Sequence, residues 1–212
     1  EILGNPEADR LSSVSFVVRH EGRYLHHNFI VSLLNDLFGI QSRGGCSCAG
    51  PYGHALLGID IEHSDEIAHE VVLGCEGIKP GWVRVNFNYF ISDAVFRFIL
   101  DAVHLVATDG WRLLPYYRFE PATGLWRHRK PGAEPPFSLD DVSYATGQMT
   151  YRHMDHRQFH GDDELVGYLA EARRIIADAA AAPPPPPVGI PTVTDDFEHL
   201  RWFPLPDEIT QG

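Results

Sequence analysis

The alternation of apolar and polar positions predicts two strands in the first half of the chain. One covers residues 13–19, and the clearer one covers residues 82–89. On one side of the second strand the residues are apolar: Val83, Val85, Phe87 and Tyr89. On the other side the residues are polar and their side chains can form hydrogen bonds: Arg84, Asn86 and Asn88. Because side chains alternate across a strand, we expect the first set to be buried and the second to line a polar face.

A period of 3.6 residues predicts helices around these strands. Apolar residues at helical spacing indicate one helix over residues 28–38 and another over residues 92–108. Pro51 suits the first turn of a short helix that ends before Gly58, and Ser64 suits the start of another. The pattern therefore favours an α+β (α/β) fold class, with a small antiparallel sheet and helices packed on one of its faces.

The second half of the chain is predicted to be an appendage to this unit. Residues 113–119 are expected to form a strand, residues 120–137 a loop and residues 165–182 a long helix. The tail from Asp195 carries the apolar residues Phe197, Leu200, Trp202 and Phe203, so we expect it to dock on the rest of the protein. The predicted divisions are residues 1–110, an appended segment 111–182, and a proline-rich linker and tail 183–212.

Charge and composition limit the binding partners that we expect and the cellular compartment in which we expect the protein. The net charge of −12 argues against binding to nucleic acid or to an acidic membrane surface, both of which require basic patches. No apolar run approaches the roughly 20 residues of a membrane span, and the start of the sequence lacks a signal-peptide pattern. Three cysteines are few for a disulfide scaffold, so we expect a cytoplasmic protein.

Two of the three cysteines lie in the glycine-rich stretch QSRGGCSCAGPYGH. The positive charge of Arg43 and the start of the helix at Pro51 would both favour the thiolate, which is the reactive form of cysteine. Cys48 lies nearer the helix and is the better candidate nucleophile. The alternative is that Cys46 and Cys48 are small apolar residues beside a turn.

Arg84 is the candidate for binding an anionic ligand. It lies among neutral hydrogen-bonding residues on the polar side of the strand 82–89. A guanidinium group suits bidentate binding of a carboxylate. The alternative is an ordinary solvated arginine on a surface strand.

A metal site is a further hypothesis. Cys46, Cys48 and Cys75 with a histidine would supply four ligands, but zinc sites usually separate paired cysteines by two to four residues. Three histidines at helical spacing form a second candidate cluster: His153, His156 and His160. We expect these histidines to be solvated.

Three segments together resemble the C-terminal part of the class V aminotransferases, a family of fold-type I pyridoxal phosphate (PLP) enzymes that includes the cysteine desulfurases. The segments are RLSSVSFVV, LHHNFIVSLLNDLFGIQSRGGCSCAGPYGH and GWVRVNFNYFIS. The Arg-x-Gly-x-x-Cys-Ala-x-Pro pattern of one desulfurase branch occurs as Arg43-Gly-Gly45-Cys-Ser-Cys48-Ala49-Gly-Pro51. The stretch that begins at Arg84 stands where the family carries its substrate-binding arginine. The resemblance covers residues 10–108.

This resemblance implies a small domain of a cytoplasmic, homodimeric transferase or lyase that acts on a small amino acid. Arg84 would bind the substrate carboxylate, and Arg43 would border the substrate-binding site. In a desulfurase, the thiolate of Cys48 would attack the substrate sulfur, leaving a persulfide and releasing alanine.

The same resemblance implies that this chain needs another part of the enzyme. A PLP enzyme requires a lysine that binds the cofactor, and neither Lys79 nor Lys130 lies in a family-like setting. The large domain that carries this lysine would precede Glu1, so we expect the fragment to be inactive alone. Two alternatives remain: an aminotransferase-like member without sulfur transfer, and a non-enzymatic Cys/His metal-binding module. In the complete enzyme, Cys48→Ala should abolish alanine release only in a desulfurase.

Overall fold

A computed structural model of the protein describes residues 1–5, 7–9, 11–45, 50–130, 139–151, 161–190 and 194–209. The strands in chain order are β1 (Ser13–Phe16), β2 (Arg19–His20), β3 (Arg23–Tyr24), β4 (Arg43–Gly45), β5 (Trp82–Asn86), β6 (Tyr117–Glu120), β7 (Leu125–His128), β8 (Val142–Ser143) and β9 (Thr150–Tyr151). The α-helices are α1 (His27–Phe38), α2 (Gly50–Leu57), α3 (Ile61–Val72), α4 (Asp93–Asp109), α5 (Leu165–Ala181) and α6 (Asp195–Leu200). The fold is mixed α plus β, with small antiparallel sheets.

The central sheet has three antiparallel strands in the order β1-β5-β4. Its alternating pattern buries Val83 and Val85, whose Cα partners on β1 are Phe16 and Val14. The two predicted strands, 13–19 and 82–89, thus both belong to an antiparallel sheet as expected, and both are shorter than expected.

Helix α1 covers the apolar face of this sheet. Its apolar side chains are almost completely buried, and they include Phe29, Ile30, Leu33 and Leu34. The helix begins where the Nδ1 atom of His26 accepts a hydrogen bond from the Asn28 N–H, and it ends at Gly39, whose φ of 65° is a left-handed helix terminus. Helices α4 and α5 pack against α1, and together they form the main core.

The C-terminal tail docks on this core, as expected from its composition. Thr194 caps α6 and donates a hydrogen bond of 2.7 Å to the buried carboxylate of Glu70 on α3. The indole N–H of Trp202 donates to the carbonyl of Ile78, and Phe197 and Phe203 are fully buried. The hydrophobic core therefore includes side chains from all three predicted divisions of the sequence.

Several local predictions are wrong. The predicted strand 113–119 is mostly a 3-10 helix, Gly110–Tyr116, and the predicted loop 120–137 contains β7, which pairs with β6. Helix α3 begins at Ile61 rather than at Ser64. Tyr89 lies beyond the end of β5 and is 99% exposed instead of buried. Among the described residues, none of the helices combines the length and apolar character needed to cross a bilayer.

Candidate functional site

The polar face of the central sheet brings Arg43 and Arg84 together. They are direct Cα partners on β4 and β5, so both side chains leave the sheet on the same face. Ser15 on β1 is the partner of Arg84 on its other side. The three residues form one row across the sheet, on the face opposite α1.

A small, shallow cleft lies at this row and is lined by Arg43, Gly45, Trp82 and Arg84. Trp82 is 5% exposed, and its ring packs closely against Gly53 of α2. The indole therefore forms a fixed apolar wall beside the two guanidinium groups.

Glycines allow the strand ends beside this cleft to pack closely. Gly45 has a φ of 113°, which residues with a side chain rarely adopt. A Cβ atom on Gly81 would lie 2.7 Å from the Cα of Gly45 and 2.9 Å from the ring of His27. Any side chain at position 81 would therefore push β4 away from β5 and change the distance between the two arginines.

Two buried histidines lie behind the cleft. The Nε2 atom of His26 donates to the carbonyl of Gly77 at 3.1 Å, since its Nδ1 is the acceptor at the start of α1. Burial, together with the neighbouring His27, holds the pKa of His26 well below its usual range. Burial lowers the pKa of His27 to about 4, and among the described residues its Nδ1 atom has no hydrogen-bond partner. Both rings are thus neutral at pH 7.

The predicted site residues are placed as follows. Arg43 is exposed and Arg84 is partly buried, and they lie side by side. Cys48, the candidate nucleophile, lies outside the described residues, as does Cys46. Its role stays a prediction.

The residues of the metal hypothesis are mostly outside the described part of the chain as well: His153, His156 and His160, together with Cys46 and Cys48. Cys75 is described, and burial raises the pKa of its thiol, while its Sγ lies 3.7 Å from the carbonyl oxygen of Pro121. Where the structure describes the chain, it contains no group of three or more His, Cys, Asp or Glu side chains that could hold a metal ion.

Sequence reasoning missed three residues of the site region: Ser15, Trp82 and His27. Ser15 was placed on a strand, but its position beside Arg84 depends on strand register, which is set by long-range pairing. The adjacent His26 and His27 at the start of an apolar helix were the available indication of a buried polar pair.

Neither lysine of the chain is placed where a PLP-binding lysine would be needed. Lys79 lies at the surface and forms an ion pair with Glu76, and Lys130 is exposed after β7. These are the only lysines in the chain. The described cleft thus holds two positively charged side chains and an apolar wall, and neither lysine lines it.

Comparison with known proteins gives no relative. No protein-family model, no curated protein and no solved structure matches the chain.

Proposed function

We propose that this chain is the carboxylate-binding part of a PLP-dependent enzyme of the class V aminotransferase type, acting on a small amino acid. The observation that carries the proposal is the direct cross-strand pairing of Arg43 with Arg84 on the polar face of the central sheet. The motif resemblance assigns these same two arginines to the substrate.

The charge of this pair supports an anionic ligand. A carboxylate that lies between two guanidinium groups is attracted by both positive charges and accepts charge-assisted hydrogen bonds from them. Both arginines line the cleft together with the indole of Trp82, so a carboxylate bound at its mouth would lie beside both guanidinium groups.

Each residue then has a defined task. Arg84 binds the substrate carboxylate in bidentate geometry, and Arg43 adds a second positive charge that orients it. Trp82 excludes water from one side of the carboxylate, which strengthens both interactions. In a desulfurase, the Cys48 thiolate would attack the substrate sulfur, forming an S–S bond as the substrate C–S bond breaks. The electron pair of the broken bond would stay on carbon, which takes up a proton to give alanine and leaves a persulfide on Cys48. PLP, held by a lysine outside these 212 residues, would supply the electron sink for the amino acid.

The proposal is tested by comparing L-alanine with L-alaninamide, which lacks the carboxylate, by NMR titration of the chain. We expect L-alanine to shift the side-chain Nε–H resonance of Arg84 and the backbone amides of Arg43 and Ser15. Binding should be weak, with a Kd on the order of 10 mM, because the open cleft leaves the ion pair solvated. L-alaninamide should cause no saturable shift.

Variants complete the test. Arg84→Ala should abolish the saturable shifts, and Arg84→Lys should weaken binding because an ammonium group cannot bind a carboxylate in bidentate geometry. Arg97→Ala removes an exposed arginine on α4 and should leave the titration unchanged. Equal shifts with alanine and alaninamide, or undiminished binding in Arg84→Ala, would contradict the proposal.

A further inference from the structure

A second, larger concavity has a lining that does not include Arg43 or Arg84. It is an open groove of about 1300 Å³ between the outer side of α1 and the β6–β7 hairpin. Its lining includes apolar side chains from α1, α5, the 3-10 helix and the hairpin: Val31, Leu37, Leu113, Leu125 and Ile175. Leu125 is 40% exposed, so part of this apolar lining faces solvent.

One wall of the groove is basic. Arg118 and Arg127 are direct Cα partners across the hairpin, and both are exposed. Lys130 continues the same wall. In the described part of the chain, none of these three residues forms an ion pair. The acid in the lining, Asp36, accepts a hydrogen bond of 2.8 Å from the hydroxyl of Tyr117.

This basic wall contrasts with the molecule as a whole, whose net charge is −12. Two opposed arginines on a two-stranded hairpin repel each other, so the hairpin gains stability when an anionic group lies between them. Covering the adjoining apolar lining with nonpolar side chains is also favourable, because it removes apolar surface from water. Both preferences are met by one kind of occupant, in which acidic and apolar groups alternate.

We propose that this groove is a docking site for an acidic amphipathic peptide segment of a partner protein. Acidic side chains would pair with Arg118, Arg127 and Lys130, while apolar side chains would cover Leu125 and its neighbours. A nucleic acid would pair with the basic side chains but would leave the apolar lining uncovered.

The test uses synthetic peptides of about ten residues in which pairs of glutamate alternate with pairs of leucine, a spacing that suits helix-in-groove binding. We expect isothermal titration calorimetry to give a Kd on the order of 10–100 μM for this peptide with the full chain. A peptide with lysine in place of glutamate should not bind, and one with serine in place of leucine should bind more weakly. The negative charge of the protein makes nonspecific binding of the acidic peptide unfavourable. Binding of this peptide would therefore indicate a specific site on the protein.

Two double variants of equal charge separate the groove from the rest of the surface. Arg118→Ala/Arg127→Ala should weaken binding about tenfold, whereas Arg97→Ala/Arg173→Ala, which removes two exposed arginines elsewhere, should not change it. Leu125→Ser should also weaken binding, and circular dichroism should show that each variant is folded.

Three results would overturn the proposal. They are no binding of the acidic peptide at about 1 mM protein, equal loss of binding in both double variants, and a dimer of the chain that Arg118→Ala/Arg127→Ala dissociates. The last result would place a second copy, rather than a separate partner, in the groove.

Discussion

His26 and His27 both lie in the core, with ring centroids 4.3 Å apart. Burial lowers the pKa of His27 to about 4 and holds that of His26 well below its usual range. Below about pH 6.5 the unfolded chain therefore binds protons that the native chain does not bind. The contribution of these histidines to stability is complete above that pH and is lost as the pH falls, until at about pH 4 the native His27 also becomes protonated.

We therefore expect the free energy of unfolding to decrease between about pH 6.5 and 4.5, by up to about 1.4 kcal/mol per pH unit for each histidine. His27→Phe should remove the contribution of one histidine, up to about 1.4 kcal/mol per pH unit, from this slope. Phenylalanine keeps an aromatic ring at this position but cannot bind a proton. Urea unfolding at a series of pH values measures the slope. His104→Phe, which replaces an exposed histidine on α4, is the matched control and should keep the wild-type slope. An unchanged slope in His27→Phe would show that His27 is protonated in the native state.

At the residue scale, the candidate site was predictable only in part. Arg84 stood out because it lies among neutral hydrogen-bonding residues on the polar side of a strand, and Arg43 because its positive charge lies close to the cysteines in sequence. Their pairing was not predictable from local pattern, because a shift of one residue in the register of β4 would place Arg43 on the opposite face.

Helix α3 shows how a capping residue sets the start of an element. The side chain of Asp60 accepts a hydrogen bond of 2.8 Å from the N–H of His63, so the helix begins at Ile61. Ser64, the expected start, instead lies inside the first turn and donates its N–H to the Asp60 carbonyl.

Asp60→Ala should therefore destabilise the protein by about 1 kcal/mol, because one N–H of the first turn loses its acceptor and a negative charge leaves the helix N-terminus. Ser64→Ala should have little effect or stabilise slightly, because alanine is the better helix former. Thermal unfolding of the two variants gives the comparison. A larger loss for Ser64→Ala would mean that the helix begins at the later position.

The elements that were predicted well have regular patterns over many residues, as α4 and β5 do. The strand β7 was missed because it has four residues between glycine- and proline-rich stretches, and only Trp126 among them is buried. Its place is fixed by tertiary contacts, including the hydrogen bond from the Ser32 hydroxyl to the Trp126 carbonyl. Such contacts leave no local pattern in the sequence.

For the molecule as a whole, the C-terminal tail completes the core. Phe203 is fully buried and its ring lies 5.1 Å from that of Phe119 and 4.6 Å from that of His26. Phe203→Ala should destabilise the protein by about 3–5 kcal/mol, because it leaves a cavity between the tail and the rest of the core.

Tyr89→Ala is the control for this change, since Tyr89 is 99% exposed and its removal leaves no cavity. Urea unfolding should separate the two variants clearly. Similar midpoints for both would show that the tail does not belong to the cooperatively folded unit.

The tail can dock only after the ribosome has synthesised it, long after the residues that it covers. Trp202, which closes over the backbone at Ile78, joins the growing chain 124 residues after it. At a ribosomal rate of about 5–20 residues per second, the interval is on the order of ten seconds. During that time the aromatic rings that the tail will cover stay exposed. The nascent chain therefore presents an apolar surface that can bind chaperones or associate with neighbouring nascent chains on the polysome.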